Sequence, residues 1–213
     1  MKKKYFLISS LLIVSFIIWT LLISFVDVKA IGPNGSYVGF ATLNGAFHNL
    51  TGAHMWLYTV TDWLGLVPIA VCLGFAIFGL AQWIKRKRFS KVDGSILALG
   101  GFYLTVMATY ILFEYVVINR RPVLINGYLE ASYPSSTTML VMCVMPTAIM
   151  QLRDRIASTV LNKCVTYIIL AFTAFMVIGR LVSGVHWLTD IIGGAIVSSG
   201  LLLMYYGIAH AKN

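Results

Sequence analysis

Apolar runs long enough to cross a bilayer constrain this chain more than any other feature. A transmembrane helix needs about 20 predominantly apolar residues. The sequence supplies six such runs, near 5–26, 64–84, 95–113, 136–151, 163–181 and 187–208. The fourth is short and the sixth carries Asp190 near its start. The chain is 59% hydrophobic and 11% charged, with a mean hydropathy of +0.86. Soluble domains carry about 25% charged residues, so this chain is not built to be wetted on all sides. It reads as all-α, a polytopic membrane helical bundle with six transmembrane helices, forming a single membrane-embedded domain over 1–213. The opening MKKKYFLISSLLIVSFIIWTLLISFVDVKA resembles a secretory signal. Its apolar stretch, however, exceeds the about 7–15 residues of a signal core, so it is expected to stay as the first span.

The net charge of +9 is distributed as a membrane protein distributes it, not as a nucleic-acid binder would. Twelve of the sixteen basic residues are Lys2, Lys3, Lys4, Lys85, Arg86, Lys87, Arg88, Lys91, Arg153, Arg155, Lys163 and Lys212. In a six-span topology all of these fall on one side, which the positive-inside rule makes cytoplasmic. Both termini are then cytoplasmic, and the expected location is a bacterial plasma membrane. The remaining four, Lys29, Arg120, Arg121 and Arg180, fall on the outer side. Cations placed against the topological bias call for a reason, and an anionic ligand supplies one.

Cys72, Cys143 and Cys164 lie in or at the edge of apolar spans, without metal-ligand spacing or a disulfide pattern, and read as small hydrophobes. The 27–63 segment is the longest outer piece, rich in Gly and Asn with scattered aromatics, and suits a re-entrant or interfacial stretch. Its His48 and His54 read as ordinary polar loop residues, as does His210 near the C-terminus.

Chemistry concentrates in three outer stretches. In Arg180-Leu-Val-Ser-Gly-Val-His-Trp-Leu-Thr-Asp190, Ser183-Gly184 breaks the fifth span, and His186 and Asp190 share a helix face four residues apart. That spacing lets a carboxylate accept a bond from one imidazole nitrogen and leave the other free to act. A pair that merely locks two helices would look the same, but ionisable groups inside a span are costly and point to function. Arg120-Arg121-Pro122 offers planar forks matched to phosphate oxygens, although interfacial arginines also hold lipid headgroups. In Tyr133-Pro-Ser-Ser-Thr-Thr-Met-Leu140, Ser135 can cap the fourth span, whose first N–H groups make an anion site. Each alone has a structural explanation. Together, two arginines, an N–H nest and a His–Asp pair suit phosphoryl transfer through a histidine nucleophile.

These blocks resemble the type-2 phosphatidic acid phosphatase superfamily of integral-membrane lipid phosphatases. That family shows Lys-x6-Arg-Pro, Pro-Ser-Gly-His and Ser-Arg-x5-His-x3-Asp. The third block is matched from Arg180 to Asp190, with Gly179 in place of the leading serine. The first survives as Arg121-Pro122 with Glu114 at the lysine position, and the second reads Pro134-Ser135-Ser136-Thr137. The resemblance implies that His186 becomes a phosphohistidine, with Asp190 as its orienting partner. Arg121, Arg180, Ser135 and the backbone around Ser136 would hold the phosphate. It implies no metal and no cofactor. The partners are a lipid phosphate or diphosphate substrate and the surrounding membrane lipids, with the site on the extracytoplasmic side.

Thr137 stands where the family places a histidine that protonates the leaving oxygen. A threonine hydroxyl is no useful acid near neutral pH. Glu114 could supply a proton if burial raised its pKa, but pairing with Arg120 or Arg121 is the expectation. General acid catalysis is typically worth about 10²–10⁴-fold, so its loss hurts substrates with basic leaving groups most. The sequence therefore reads as a lipid phosphate or polyprenyl diphosphate phosphatase of the outer leaflet, crippled towards monoesters. The other readings are a non-catalytic phospholipid or polyprenyl-phosphate binding or carrier protein, and a lipid phosphotransferase.

Overall fold

A computed structural model describes residues 2–209; His210 and Lys212 lie outside the described residues. Eight α-helices follow one another: α1 (Lys2–Phe25), α2 (Ala41–Thr51), α3 (Met55–Leu64), α4 (Leu66–Arg86), α5 (Gly94–Tyr115), α6 (Ser136–Arg153), α7 (Thr159–Val182) and α8 (Leu188–Ala209). Among the described residues there is no β-strand, only isolated bridges such as Arg120 with Ala131. The protein is an all-α membrane bundle.

Five stretches are long and apolar enough to span: Lys3–Phe25, Met55–Arg86, Gly94–Tyr115, Thr159–Val182 and Leu188–Ala209. The run expected at 136–151 is not among these five. A helix forms there as α6, but it falls below the hydropathy of a span, with Thr138, Thr147, Pro146 and Gln151 along its length. The reason is position: α6 packs against α4, α5, α7 and α8, and Thr138, Val141, Cys143, Val144 and Thr147 are buried. A helix enclosed by protein need not be as apolar as one facing lipid. The 27–63 segment, expected to be re-entrant or interfacial, carries α2 and most of α3, and α3 continues through Gly65 into the second spanning stretch.

Antiparallel α1 and α8 form the tightest pair. Ser9 donates to the Gly200 carbonyl at 2.7 Å, and a methyl at Gly200 would sit 2.9 Å from Ile13, the close approach that small residues allow between membrane helices. The main core joins Phe16, Ile23, Leu99, Phe102, Met139, Leu201 and Tyr205. The bundle has two distinct poles. At one, Gln82, Arg86 and Arg155 gather on Asp93. At the other, the 119–135 loop, the α7–α8 turn and the start of α6 meet, with α2 packed against α8 and α3 against α7.

Candidate active site

The α7–α8 turn sets the position of His186. Ser183 closes α7, and Gly184 follows with φ +67°. A side chain there would be strained by φ and would strike the Gly52 carbonyl oxygen at 1.9 Å, so only glycine lets the turn lie against the α2–α3 connection. The Ser183 carbonyl accepts from His54 N at 2.9 Å. His186 then emerges just before α8, 3% exposed.

Its ring is held on both sides. Nδ1 lies 3.1 Å from both the carbonyl oxygen and the hydroxyl of Ser132. A carbonyl can only accept, so Nδ1 carries the proton and Nε2 presents its lone pair. Nε2 faces Arg121 Nη1 at 3.3 Å. Burial first, and then the charges of Arg121 and Arg180, hold the imidazole well below its ordinary pKa, which keeps it neutral and nucleophilic.

Asp190 does not bond His186 directly; the closest approach is 3.9 Å, beyond hydrogen-bond range. Ser132 stands between them, its hydroxyl donating to Asp190 Oδ2. Asp190 also accepts from Trp187 N at 2.9 Å and Asn119 Nδ2 at 3.2 Å. Reaching back to Trp187 N, it closes the first turn of α8 as a capping-box carboxylate does. The expected shared helix face does not form, because His186 precedes α8; the cap draws the carboxylate to Trp187 N and a serine fills the gap.

The two arginines have different acidic partners. Arg121, 7% exposed, pairs through Nε with Glu130 Oε2 at 3.0 Å, off line for a hydrogen bond. Arg180, 2% exposed, reaches α3, where Thr61 Oγ1 and Asp62 Oδ1 each lie at 3.4 Å and the Tyr58 ring at 4.9 Å. Its Nε is buried with no hydrogen-bond partner. Ser135 is fully buried and caps α6, accepting from Thr138 N at 3.5 Å while its own N donates to the Asp190 carbonyl at 3.1 Å. The next N–H groups, of Ser136 and Thr137, have no partner within the helix.

Ser136, Glu114, Tyr110, Ser132 and His186 share a cavity of about 10 Å³, room for about one water. Thr137 is half-buried beside it in sequence. The expected pairing of Glu114 with Arg120 or Arg121 is not formed: Glu130 takes Arg121, and Arg120 is exposed and donates to the Leu129 carbonyl at 3.0 Å. Glu114 opens on the His186 cavity instead. His48 stacks near Trp187, and His54 contributes only backbone. Among the described residues no three His, Cys, Asp or Glu cluster as metal ligands do.

Ser132, Asn119, Glu130 and the α3 trio of Tyr58, Thr61 and Asp62 were not legible as site residues. Asn119 had one signal, its place just before the arginine pair. Asn44 of α2, fully buried, bonds Thr189 N and Oγ1 and supports the same turn.

The sequence model of the PAP2 superfamily matches residues 69–213. No curated protein matches the chain. A similar solved structure is the crystal structure of the first transmembrane PAP2 type phosphatidylglycerolphosphate phosphatase from Bacillus subtilis, 21% identical, with a TM-score of 0.63 over 96% of this chain and 97% of that one. At that identity the likeness speaks for the fold.

Proposed function

We propose that this chain, which belongs to the PAP2 superfamily, removes phosphate from a lipid phosphate or polyprenyl diphosphate at the outer leaflet through a phosphohistidine on His186. The observation that carries this is the buried His186 ring, anchored at Nδ1 by Ser132 with Nε2 beside Arg121. Arg121, Arg180 and the first N–H groups of α6 neutralise the phosphate oxygens. Nε2 attacks phosphorus, the Nε2–P bond forms, and the P–O bond breaks with its electron pair leaving on the lipid oxygen. Asp190, through Ser132, steadies the positive charge on the ring. Water then attacks phosphorus, phosphate departs, and the ring regains its lone pair. Arg180 keeps donors for substrate beyond its Nη2 contact with Asp62, since its Nε has no hydrogen-bond partner.

In this reading α6 is a sixth, protein-enclosed span within one membrane-embedded domain. The basic pole is cytoplasmic and the His186 pole outside, in keeping with the positive-inside rule. No strong acid stands at Thr137, and Glu114 is the carboxyl group on the His186 cavity. A diphosphate expels a phosphate and needs little protonation, whereas a monoester expels a basic alkoxide, so diphosphates are the favoured substrates.

Phosphate release from a polyprenyl diphosphate and from phosphatidic acid, measured on the purified protein, tests the proposal. The diphosphate should give the higher kcat/KM, and His186→Ala should lose about 10⁴-fold or more on either. Thr137→His should raise monoester turnover by about 10²–10⁴-fold. Undiminished release from His186→Ala would overturn the mechanism, and a monoester preference would overturn the substrate assignment.

A further inference from the structure

A large groove lies far from His186. It lies between α4 and α5, about 560 Å³ in volume and almost wholly apolar. Its floor is Val92, Ile96 and Leu99, all buried. Gly79, Gly100 and Gly101 keep it open, and side chains at Gly100 and Gly101 would meet nothing within 4 Å. Along α4 the lining runs from Cys72 to Trp83, about 16 Å at 1.5 Å per residue. That is roughly half of a hydrocarbon core about 30 Å thick, so the groove has the depth of one leaflet. It belongs to the leaflet on the side of the 84–94 loop, because its lining on α5 ends at Leu104, well short of Glu114 at the His186 pole.

The mouth of the groove is charged. Trp83 and Phe89 meet edge to face at its rim, with ring centroids 6.0 Å apart, and the residues between them include Lys85, Arg86, Lys87 and Arg88. Cations at the end of a helix often only answer its dipole or the membrane topology, and Arg86 has such a local role. It pairs with Asp93 at 2.8 Å and with the Lys91 carbonyl. Asp93 is the single carboxylate of the 84–94 loop and is already shared among Arg86, Arg155 and Gln82. The side chains of Lys85, Lys87 and Arg88 are exposed without a hydrogen bond or ion pair among the described residues. An apolar slot one leaflet deep, opening beneath unpaired cations, is complementary to a lipid with an anionic headgroup.

We propose that the α4–α5 groove is a binding site for an anionic phospholipid of the leaflet on the 84–94 side, with one acyl chain along Gly79, Gly100 and Gly101 and its phosphate on Lys87 and Arg88. It is separate from the substrate site, and its failure leaves the phosphatase reading untouched.

The full chain is reconstituted in nanodiscs of phosphatidylcholine with a minority of phosphatidylglycerol of matched acyl chains, re-extracted in mild detergent, and its retained lipids counted by native mass spectrometry. Phosphatidylglycerol is a phosphodiester and no substrate for the proposed hydrolysis, so retention at the His186 site is not expected. The wild type should retain one phosphatidylglycerol, enriched about tenfold over its share of the disc. Lys87→Gln/Arg88→Gln, which alters only exposed side chains, should bring that enrichment to parity. Gly101→Leu, which fills the slot and leaves the cations in place, should lose the retained lipid. Parity in the wild type, enrichment unchanged by Lys87→Gln/Arg88→Gln, or full retention in Gly101→Leu would each overturn the proposal. So would a dimer in the wild type that Gly101→Leu dissolves, since a second copy would then fill the groove.

Discussion

Beside His186 the free space is about 10 Å³, whereas between α4 and α5 it is about 560 Å³. Both regions belong to one bundle of similar helices, and the difference follows from what each must bury. At the His186 pole Asp190, Ser132, Asn119, Thr189 and Asn44 are all buried and joined by hydrogen bonds. A buried polar group without a partner is costly, so the loops close around these five. Along α4 and α5 the side chains are apolar on a surface that lipid covers. There packing against a neighbour gains little over packing against an acyl chain, and a groove can persist.

The sharpest way to break this contrast is to remove a link from the closed side. Ser132→Ala takes one of three donors from Asp190 and the hydroxyl from His186 Nδ1. In the proposed mechanism kcat should fall by about 10–100-fold with little change in KM, because the loss of a bond to a buried charged group is worth about 1.5–3 kcal/mol. Steady-state phosphate release measures it, and an unchanged kcat would mean that the serine bridge is only structural.

A smaller effect compares two added methyl groups. At Gly193 a Cβ would stand 2.4 Å from the buried Tyr133 ring, which is pinned by Thr20 at 2.7 Å. Gly193→Ala should cost about 1–3 kcal/mol as overpacking does. Gly101→Ala meets nothing within 4 Å and should be neutral or stabilising by up to about 1 kcal/mol. Thermal unfolding in detergent checks the pair, and equal losses would contradict the difference in packing.

The smallest effect is in the pH dependence. The unfolded imidazole takes up its proton near pH 6.5, whereas folded His186 does so only well below that value. Below about pH 6.5 the unfolded state binds more protons, so stability should fall as pH drops, by at most about 1.4 kcal/mol per unit from this group. His186→Gln should flatten that slope, leaving the lesser contribution of His48, which burial also lowers. A slope unchanged by the substitution would show that the ring is not held neutral.

Legibility followed the same division. Apolar runs, cation placement and the spacing from Arg180 to Asp190 were readable because each depends on one segment and its immediate surroundings. Ser132 was not, since nothing within Glu130-Ala131-Ser132-Tyr133 marks a serine that will lie between a histidine and an aspartate more than 50 positions away. Asp62 was hidden for the same reason: its contact with Arg180 spans |i−j| of 118. The 136–151 run was readable as a helix but not as one enclosed by four neighbours, because hydropathy reports what a helix can tolerate and not what surrounds it.

By itself the sequence determined a helical membrane protein whose basic loops lie apart from an Arg–His–Asp cluster, since hydrophobic length and charge bias act on each segment where it stands. Only the tertiary structure decided that Ser132 joins Asp190 to His186, that Glu130 and Asp62 take the two arginines, and that Glu114 opens on the His186 cavity. Each depends on what the fold brings beside a buried arginine or histidine, and those neighbours come from distant parts of the chain.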